Sequence, residues 1–293
     1  MSKKWDGKTK GSPWGYRFFI SCIQTLGVRF SYFFCIWVSA YYLLFSSKNR
    51  NAIIHFYQTG LGFSKVKAFF YSFANFYQFG KIIIDRFALR TRRKSFYTHS
   101  FKNEEAIRSI TTQNMGGFLV SGHIGNWENA GSLIGERITA KINILMLDEE
   151  VEKIKQLIDQ KIEKPKYNLI PLKNDMSHLI LIHQALKRNE LIALHADRIQ
   201  DEHQKYFTFN FLNGKAKFPA GPFIMAHKFK VPIVFVYAVK TSTKHFALSS
   251  SDVKIGGKDF HNAEELAQQY VHSLEQLVKE YPTQWFNFYE YFD

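Results

Sequence analysis

Cysteine is nearly missing from this chain of 293 residues: Cys22 and Cys35 are the only two. Both lie in an N-terminal apolar stretch and in no metal-ligand spacing, which excludes a disulfide framework or a zinc ribbon and agrees with a reducing compartment. Acidic residues are scarce in one region. Residues 1–100 carry 16 of the 39 Lys and Arg but only Asp6 and Asp85 among the 25 Asp and Glu, so the net charge of +14 sits in the first third and the rest is balanced. A basic excess confined to the most apolar third fits a segment held against anionic lipid, and leaves nucleic acid without a patch on the body of the chain. Internal repeats, low-complexity linkers and a GxSxG elbow are also absent. The apolar run begins late, after "KKWDGKTKGSPWGYR", so no cleaved signal is expected.

What is present is apolar and aromatic. Apolar residues make up 46% of the chain, ample for a packed core. Aromatic residues reach 17%, with 29 Phe and 15 Tyr, a bias expected where a surface meets a bilayer interface. The block "FFISCIQTLGVRFSYFFCIWVSAYYLLF" (18–45) contains 16 uncharged residues from Phe30 to Phe45. At about 1.5 Å per residue these reach roughly 24 Å, short of a hydrocarbon thickness of about 30 Å. A helix dipping into one leaflet is therefore expected, with Arg29 and Lys48 at headgroup level and the lysine-rich N-terminus on the cytoplasmic side. Helical rhythm continues through residues 51–90, where Phe69, Phe73, Phe76 and Phe79 recur at steps of three or four and predict a packing stripe.

From about residue 115 short apolar runs alternate with amphipathic ones. Residues 116–123, 142–148, 167–172, 190–197 and 231–239 read as strands, residues 127–138, 149–162, 176–189 and 221–230 as the helices between them, and 262–282 as a long terminal helix. That order predicts an α/β fold with a mostly parallel central sheet flanked by helices, preceded by N-terminal membrane-associating helices. The expected division is a basic, aromatic anchoring region over residues 1–95 and one compact α/β unit over 96–293.

The segment "SGHIGNWENAG" (121–131) carries the chemistry. His123 ends a strand, Gly125-Asn126 turns into a helix that Asn126 can cap, and Glu128 falls in the first helical turn. Five helical steps would separate the two side chains by roughly 140°, but with His123 still in the turn Glu128 can reach back to one imidazole nitrogen and leave the other free. A carboxylate so placed fixes the tautomer and raises basicity, as a general base requires. Gly122 and Gly125 are expected to leave open space for substrate beside the ring, and the helix N-terminus to offer N–H groups to a developing anion. A lone histidine at a strand end is more often structural; the flanking glycines and the position at the carboxyl edge of a sheet favour function.

The "HIGNWE" stretch resembles the histidine-x4-acid signature of the glycerolipid and lysophospholipid acyltransferases, in the form carried by the bacterial lipid A biosynthesis (late) acyltransferases. "GKTKGSPWGYRFF" before the greasy helix, "LIALHADRIQ" (191–200), "FPAGPFIMAHKFKVPIVF" (218–235) and "YPTQWFNFYEYF" (281–292) extend the likeness along most of the chain. The resemblance implies transfer of a fatty acyl chain from a carrier thioester to a lipid hydroxyl at the cytoplasmic face of the bacterial inner membrane, with His123 as base, Glu128 as its orienting partner and Asp197 near the site. Gly125, Asn126, Asp197 and Arg198 are the expected substrate-binding residues. The expected partners are an acyl carrier protein or acyl-CoA, a lipid acceptor and an anionic membrane surface, with no cofactor beyond the thioester and no metal. With neither cysteine near a histidine of the α/β unit, a covalent acyl-enzyme has no obvious nucleophile and direct attack is left.

One departure stands out. Where the family carries an arginine for an anionic acceptor, this chain has Asp148, Glu149 and Glu150, so the acceptor is a different lipid, or Arg198, Lys215 or Lys217 supplies the phosphate contact. Two alternatives belong to other classes: a metal-dependent hydrolase using His123, His195, Asp197 and His203, and a non-catalytic lipid-binding membrane protein.

Overall fold

The computed structural model describes residues 13–89, 91–113, 115–135, 137–147, 167–172, 177–199 and 204–292. Four helices come first: α1 (Pro13–Thr25), α2 (Val28–Phe45), α3 (Ser47–Leu61) and α4 (Lys65–Leu89). Helix α3 stops at Gly62, which takes a left-handed conformation (φ 66°) and donates its N–H to Gln58 O while Phe63 N–H reaches Tyr57 O. A residue with a Cβ would be strained there.

The aromatic stripe of α4 splits between two environments. Phe76 stacks on Phe288 with centroids 5.7 Å apart and Phe79 lies against Phe286 at 5.1 Å, so this part of the stripe packs against the C-terminal segment, as its spacing predicts. Phe69, nearer the start of the helix, is instead exposed. Asn75 of α4 donates from Nδ2 to Trp285 O at 2.9 Å and ties the same segment down.

Helix α2 is the one described helix long and apolar enough to cross a membrane, with a mean hydropathy of 1.4 over 18 residues, of which a third are buried against the protein. Its buried side faces α4 through Tyr32, Cys35 and Leu43, while Phe33, Trp37, Tyr41, Leu44 and Phe45 point outward. Beneath it lies a buried polar knot. Lys240 Nζ donates to Asp85 Oδ2 at 2.5 Å and to Tyr32 Oη at 2.7 Å, and Tyr97 Oη donates to Asp85 Oδ1 at 2.7 Å. Both charges are shielded from solvent and each is compensated, the condition for keeping an ion pair inside a core. Through this knot α2 and α4 are fixed to the end of a sheet strand.

The α/β unit runs β1 (Thr98–Lys102), α5 (Glu104–Thr112), β2 (Gly117–Ser121), α6 (Trp127–Gly135), β3 (Ile142–Leu147), β4 (Tyr167–Leu172), α7 (Ser177–Lys187), β5 (Leu191–His195), β6 (Tyr206–Phe211), β7 (Gly214–Pro219), α8 (Gly221–Phe229), β8 (Pro232–Lys240), β9 (His245–Ser250), β10 (Lys254–Ile255) and α9 (Ala263–Glu280). The main sheet has the order β1-β9-β8-β2-β5-β3-β4, with β10 added to β8; β6 and β7 form a separate hairpin. Strands β8, β2, β5, β3 and β4 are parallel neighbours, and β9 and β10 join β8 antiparallel, so the sheet is mostly parallel as expected. Central β2 and β8 are buried along their whole length, which is why they read as unbroken apolar runs. Phe118 and Val120 face one core layer and Leu119 the other, the two-residue alternation that puts apolar side chains on both faces.

Strands β1, β6, β7, β9 and β10 and helix α5 were not among the sequence expectations. Residues 149–162, expected to be helical, and the acids Asp148, Glu149 and Glu150 lie outside the described residues, as does His203.

Candidate active site

Parallel neighbours β2 and β5 end side by side, with Ser121 opposite His195, and the chain leaves both strands at the same rim. Open α/β sheets place their sites at this carboxyl edge. His123 follows β2 by two residues and Asp197 follows β5 by two. His123 Nδ1 lies 2.7 Å from Asp197 Oδ1, and the His123 backbone N–H donates to Asp197 Oδ2 at 2.8 Å. Trp285 Nε1–H adds a third bond to Oδ2 at 3.0 Å, and Tyr291 Oη–H holds the Asp197 carbonyl at 2.9 Å.

The electrostatics follow from this geometry. Burial alone would raise the Asp197 pKa, but the His123 contact and the nearby Arg198 charge outweigh it and hold the carboxyl below the usual carboxylate range. Asp197 is therefore ionised and can only accept, which assigns the proton to His123 Nδ1 and the lone pair to Nε2. Burial lowers the His123 pKa, Arg198 lowers it further and Asp197 opposes them. The resting imidazole is neutral, oriented by a carboxylate, and 18% exposed along its side chain. Such a group can take a proton.

The carboxylate on Nδ1 is thus Asp197, whereas Glu128 was expected to reach back to an imidazole nitrogen. Glu128 occupies the first turn of α6 as predicted, and its side chain is outside the described set. The expectation of open space at the glycines is corrected. Gly125 has φ +63°, and a Cβ there would come within 2.0 Å of Ala238 O; a Cβ on Gly122 would meet Leu274, Tyr270 and Asp197. Both glycines admit close approach of the protein to itself. Gly125 and Asn126, expected to bind substrate, are buried. Their N–H groups are engaged too, Gly125 N–H with Gln284 O at 2.9 Å and Asn126 N–H with Ala238 O at 2.7 Å. Asn126 does stand at the helix start, its carbonyl receiving the first helical bond from Ala130 N–H.

The closing "PTQWFNF" stretch straps the site to the sheet. Gln284 clamps Lys240, accepting its N–H at 2.8 Å and donating to its carbonyl at 2.8 Å. Phe286 N–H donates to His123 O at 2.9 Å, and Arg198 donates from Nε to Asn287 Oδ1 at 3.0 Å and to Phe286 O. Arg198 is committed to this strap. Trp127 lies against His123 (centroids 5.3 Å), His195 (5.6 Å) and Phe286 (6.0 Å) and forms an aromatic wall of the site. Trp285 and Tyr291 carry no local signal in the sequence, since their partner Asp197 is 88 and 94 residues away.

The metal alternative fits poorly. Among the described residues no three His, Cys, Asp or Glu side chains converge to hold an ion.

A family model described as bacterial lipid A biosynthesis acyltransferase matches residues 73–292, from the middle of α4 through the C-terminal strap. The chain belongs to this family. The lipid A acyltransferase match includes His123, Glu128 and Asp197, and makes the protein an enzyme that transfers acyl groups onto lipids. No curated protein matches the chain. Among solved structures it is similar to the 1-acyl-sn-glycerophosphate (LPA) acyltransferase PlsC from Thermotoga maritima, at 14% identity and a TM-score of 0.41, covering 90% of this chain and 98% of that one.

Proposed function

We propose that this acyltransferase moves a fatty acyl group from a carrier thioester, on acyl carrier protein or coenzyme A, to a hydroxyl of a membrane lipid, with His123 as general base and no covalent acyl-enzyme. The observation that carries this reading is the His123 Nδ1 contact with buried Asp197, which leaves Nε2 to face the substrate. Nε2 takes the acceptor hydroxyl proton as the oxygen attacks the thioester carbonyl. The new O–C bond forms, the tetrahedral intermediate collapses with cleavage of the C–S bond, and the imidazolium returns its proton to the departing sulfur. Glu128, in the first turn of α6, is taken in this reading as a second acidic residue of the motif. No cofactor is needed, because the thioester arrives activated.

The exposed face of α2 supports a seat on the bilayer at the inner-membrane surface. Phe33, Trp37, Tyr41, Leu44 and Phe45 are each more than half exposed, and Val66 and Phe70 add apolar surface at the start of α4. Lys48 follows α2 by three residues and Lys65 and Lys67 flank Val66 at the start of α4, positions that suit anionic headgroups. A seat of this kind brings lipid acceptors to the sheet rim.

The test is transfer of radiolabelled palmitate from its coenzyme A and acyl carrier protein thioesters to vesicles of a bacterial total-lipid extract. Wild type should label one lipid class, and His123→Ala should lose about 10²–10⁴-fold in rate with an unchanged melting temperature. Near wild-type transfer by His123→Ala would defeat the proposal.

A further inference from the structure

Among the described residues, one imidazole besides His123 stands at this rim. His195 ends β5, directly across from Ser121, and its ring lies 4.4 Å from that of His123 with a tilt of 51°. It is half-buried, walled by Trp127. Among the described residues nothing accepts from or donates to its ring nitrogens, and neither nitrogen is sealed inside the protein. Structural histidines of this chain look different. His245 has both nitrogens engaged, by Thr98 Oγ1 at 2.8 Å and Ser100 Oγ at 3.0 Å, and the Nδ1 atoms of His178 and His227 are shut away from any ligand.

Direct attack on a thioester builds negative charge on the carbonyl oxygen, and a donor must meet it. Several donors around His123 are already engaged. His123 N–H is bonded to Asp197, Gly125 N–H to Gln284 and Asn126 N–H to Ala238, while Arg198 is tied to Asn287 and Phe286. The ring N–H of His195, whose ring centroid lies 4.4 Å from that of the base and which has no partner among the described residues, is a side-chain candidate for that donor.

We propose that His195 is a catalytic residue of this site, donating a ring N–H to the thioester carbonyl oxygen as it becomes an oxyanion. The inference rests on His123 being the base. Burial, and then the neighbouring His123, keep the His195 pKa well below the ordinary histidine value, so the ring stays uncharged even when His123 carries the proton. A neutral imidazole donates without surrendering its proton to the intermediate, and the balance of the reaction is unaltered. The proton still travels from the hydroxyl to His123 Nε2 and on to the thiol.

Two substitutions separate donation from mere packing. His195→Phe keeps a ring against His123 and Trp127 but has no N–H; His195→Gln keeps an N–H and has no ring. Steady-state transfer from palmitoyl thioester to total-lipid vesicles should show His195→Phe with kcat down by about 10²–10³-fold, KM and the acid limb of the pH profile little changed, and His195→Gln recovering at least about tenfold of that loss. A His195→Phe enzyme within about threefold of wild type overturns the donor role. So does a Gln variant as impaired as Phe with a displaced acid limb, which would mean that the ring acts through the position of His123. If wild type is inactive, or His123→Ala matches it, the base reading fails first and this one with it.

Discussion

Asp197 accepts two hydrogen bonds from the same residue, His123: one from the backbone N–H at 2.8 Å and one from ring Nδ1 at 2.7 Å. The backbone bond fixes where the residue sits, and the ring bond fixes which way the imidazole faces. Asp197→Asn should therefore cost about 10²–10⁴-fold in acyl transfer, because the amide offers an N–H where the ring needs an acceptor. Circular dichroism should show a folded variant, which separates this loss from unfolding.

Acyl transfer should respond to pH through His123. Its pKa is shifted downward, so the neutral, active form is fully present above the ordinary histidine value and is lost only as pH falls through the lowered one. Asp197, held below the usual carboxylate range, adds no loss in that window. The expected profile of kcat/KM is flat from neutral pH upward, with a single acid limb below about 6.5.

Much of this arrangement was legible because its signals are local. The βαβ rhythm placed β2, β3, β4, β5 and β8 within a few residues of where they lie, and the glycine-flanked histidine fell at a strand end as read. The partner of His123 was not legible. Glu128 stands close in sequence and carries a local signal, whereas the carboxylate that meets ring Nδ1 is Asp197, 74 residues away and two residues past a neighbouring strand. Parallel sheets bring strand ends together without a local mark, so only the topology shows that residues two past β2 and two past β5 share a rim. The same holds for Trp285, whose N–H reaches Asp197 from 88 residues away. β1 lacks an apolar pattern because it is an exposed edge strand, whereas the two-residue alternation of β6 is present in the sequence itself.

Gly125 is fixed by contact with β8. An alanine there would meet a positive φ and the Ala238 carbonyl at 2.0 Å, and since the colliding atom is backbone no side chain can swing aside. Gly125→Ala should destabilise the fold by about 2–5 kcal/mol and lower soluble yield, measured by denaturant unfolding.

The Asp85–Lys240 pair should behave as a buried charge pair. Removing one partner strands the other in the core, so Asp85→Ala should cost about 3–5 kcal/mol. The double variant Asp85→Ala/Lys240→Met, with no charge left to bury, should recover a good part of that loss in the same unfolding measurement.

Membrane seating should be separable from chemistry. Trp37→Glu combined with Phe45→Glu places two charges on the most exposed apolar positions of α2 and should abolish co-sedimentation with anionic vesicles, while transfer to lipid dispersed in detergent stays within about threefold of wild type.

The most direct test of the central claim is the tautomer of His123, read by NMR of the protein with isotope-labelled imidazole nitrogens and assigned by comparison with His123→Gln. At pH 8 the expected result is a protonated Nδ1 and an unprotonated Nε2. A proton on Nε2 instead, with Nδ1 bare, would leave no base facing the lipid and would contradict the account.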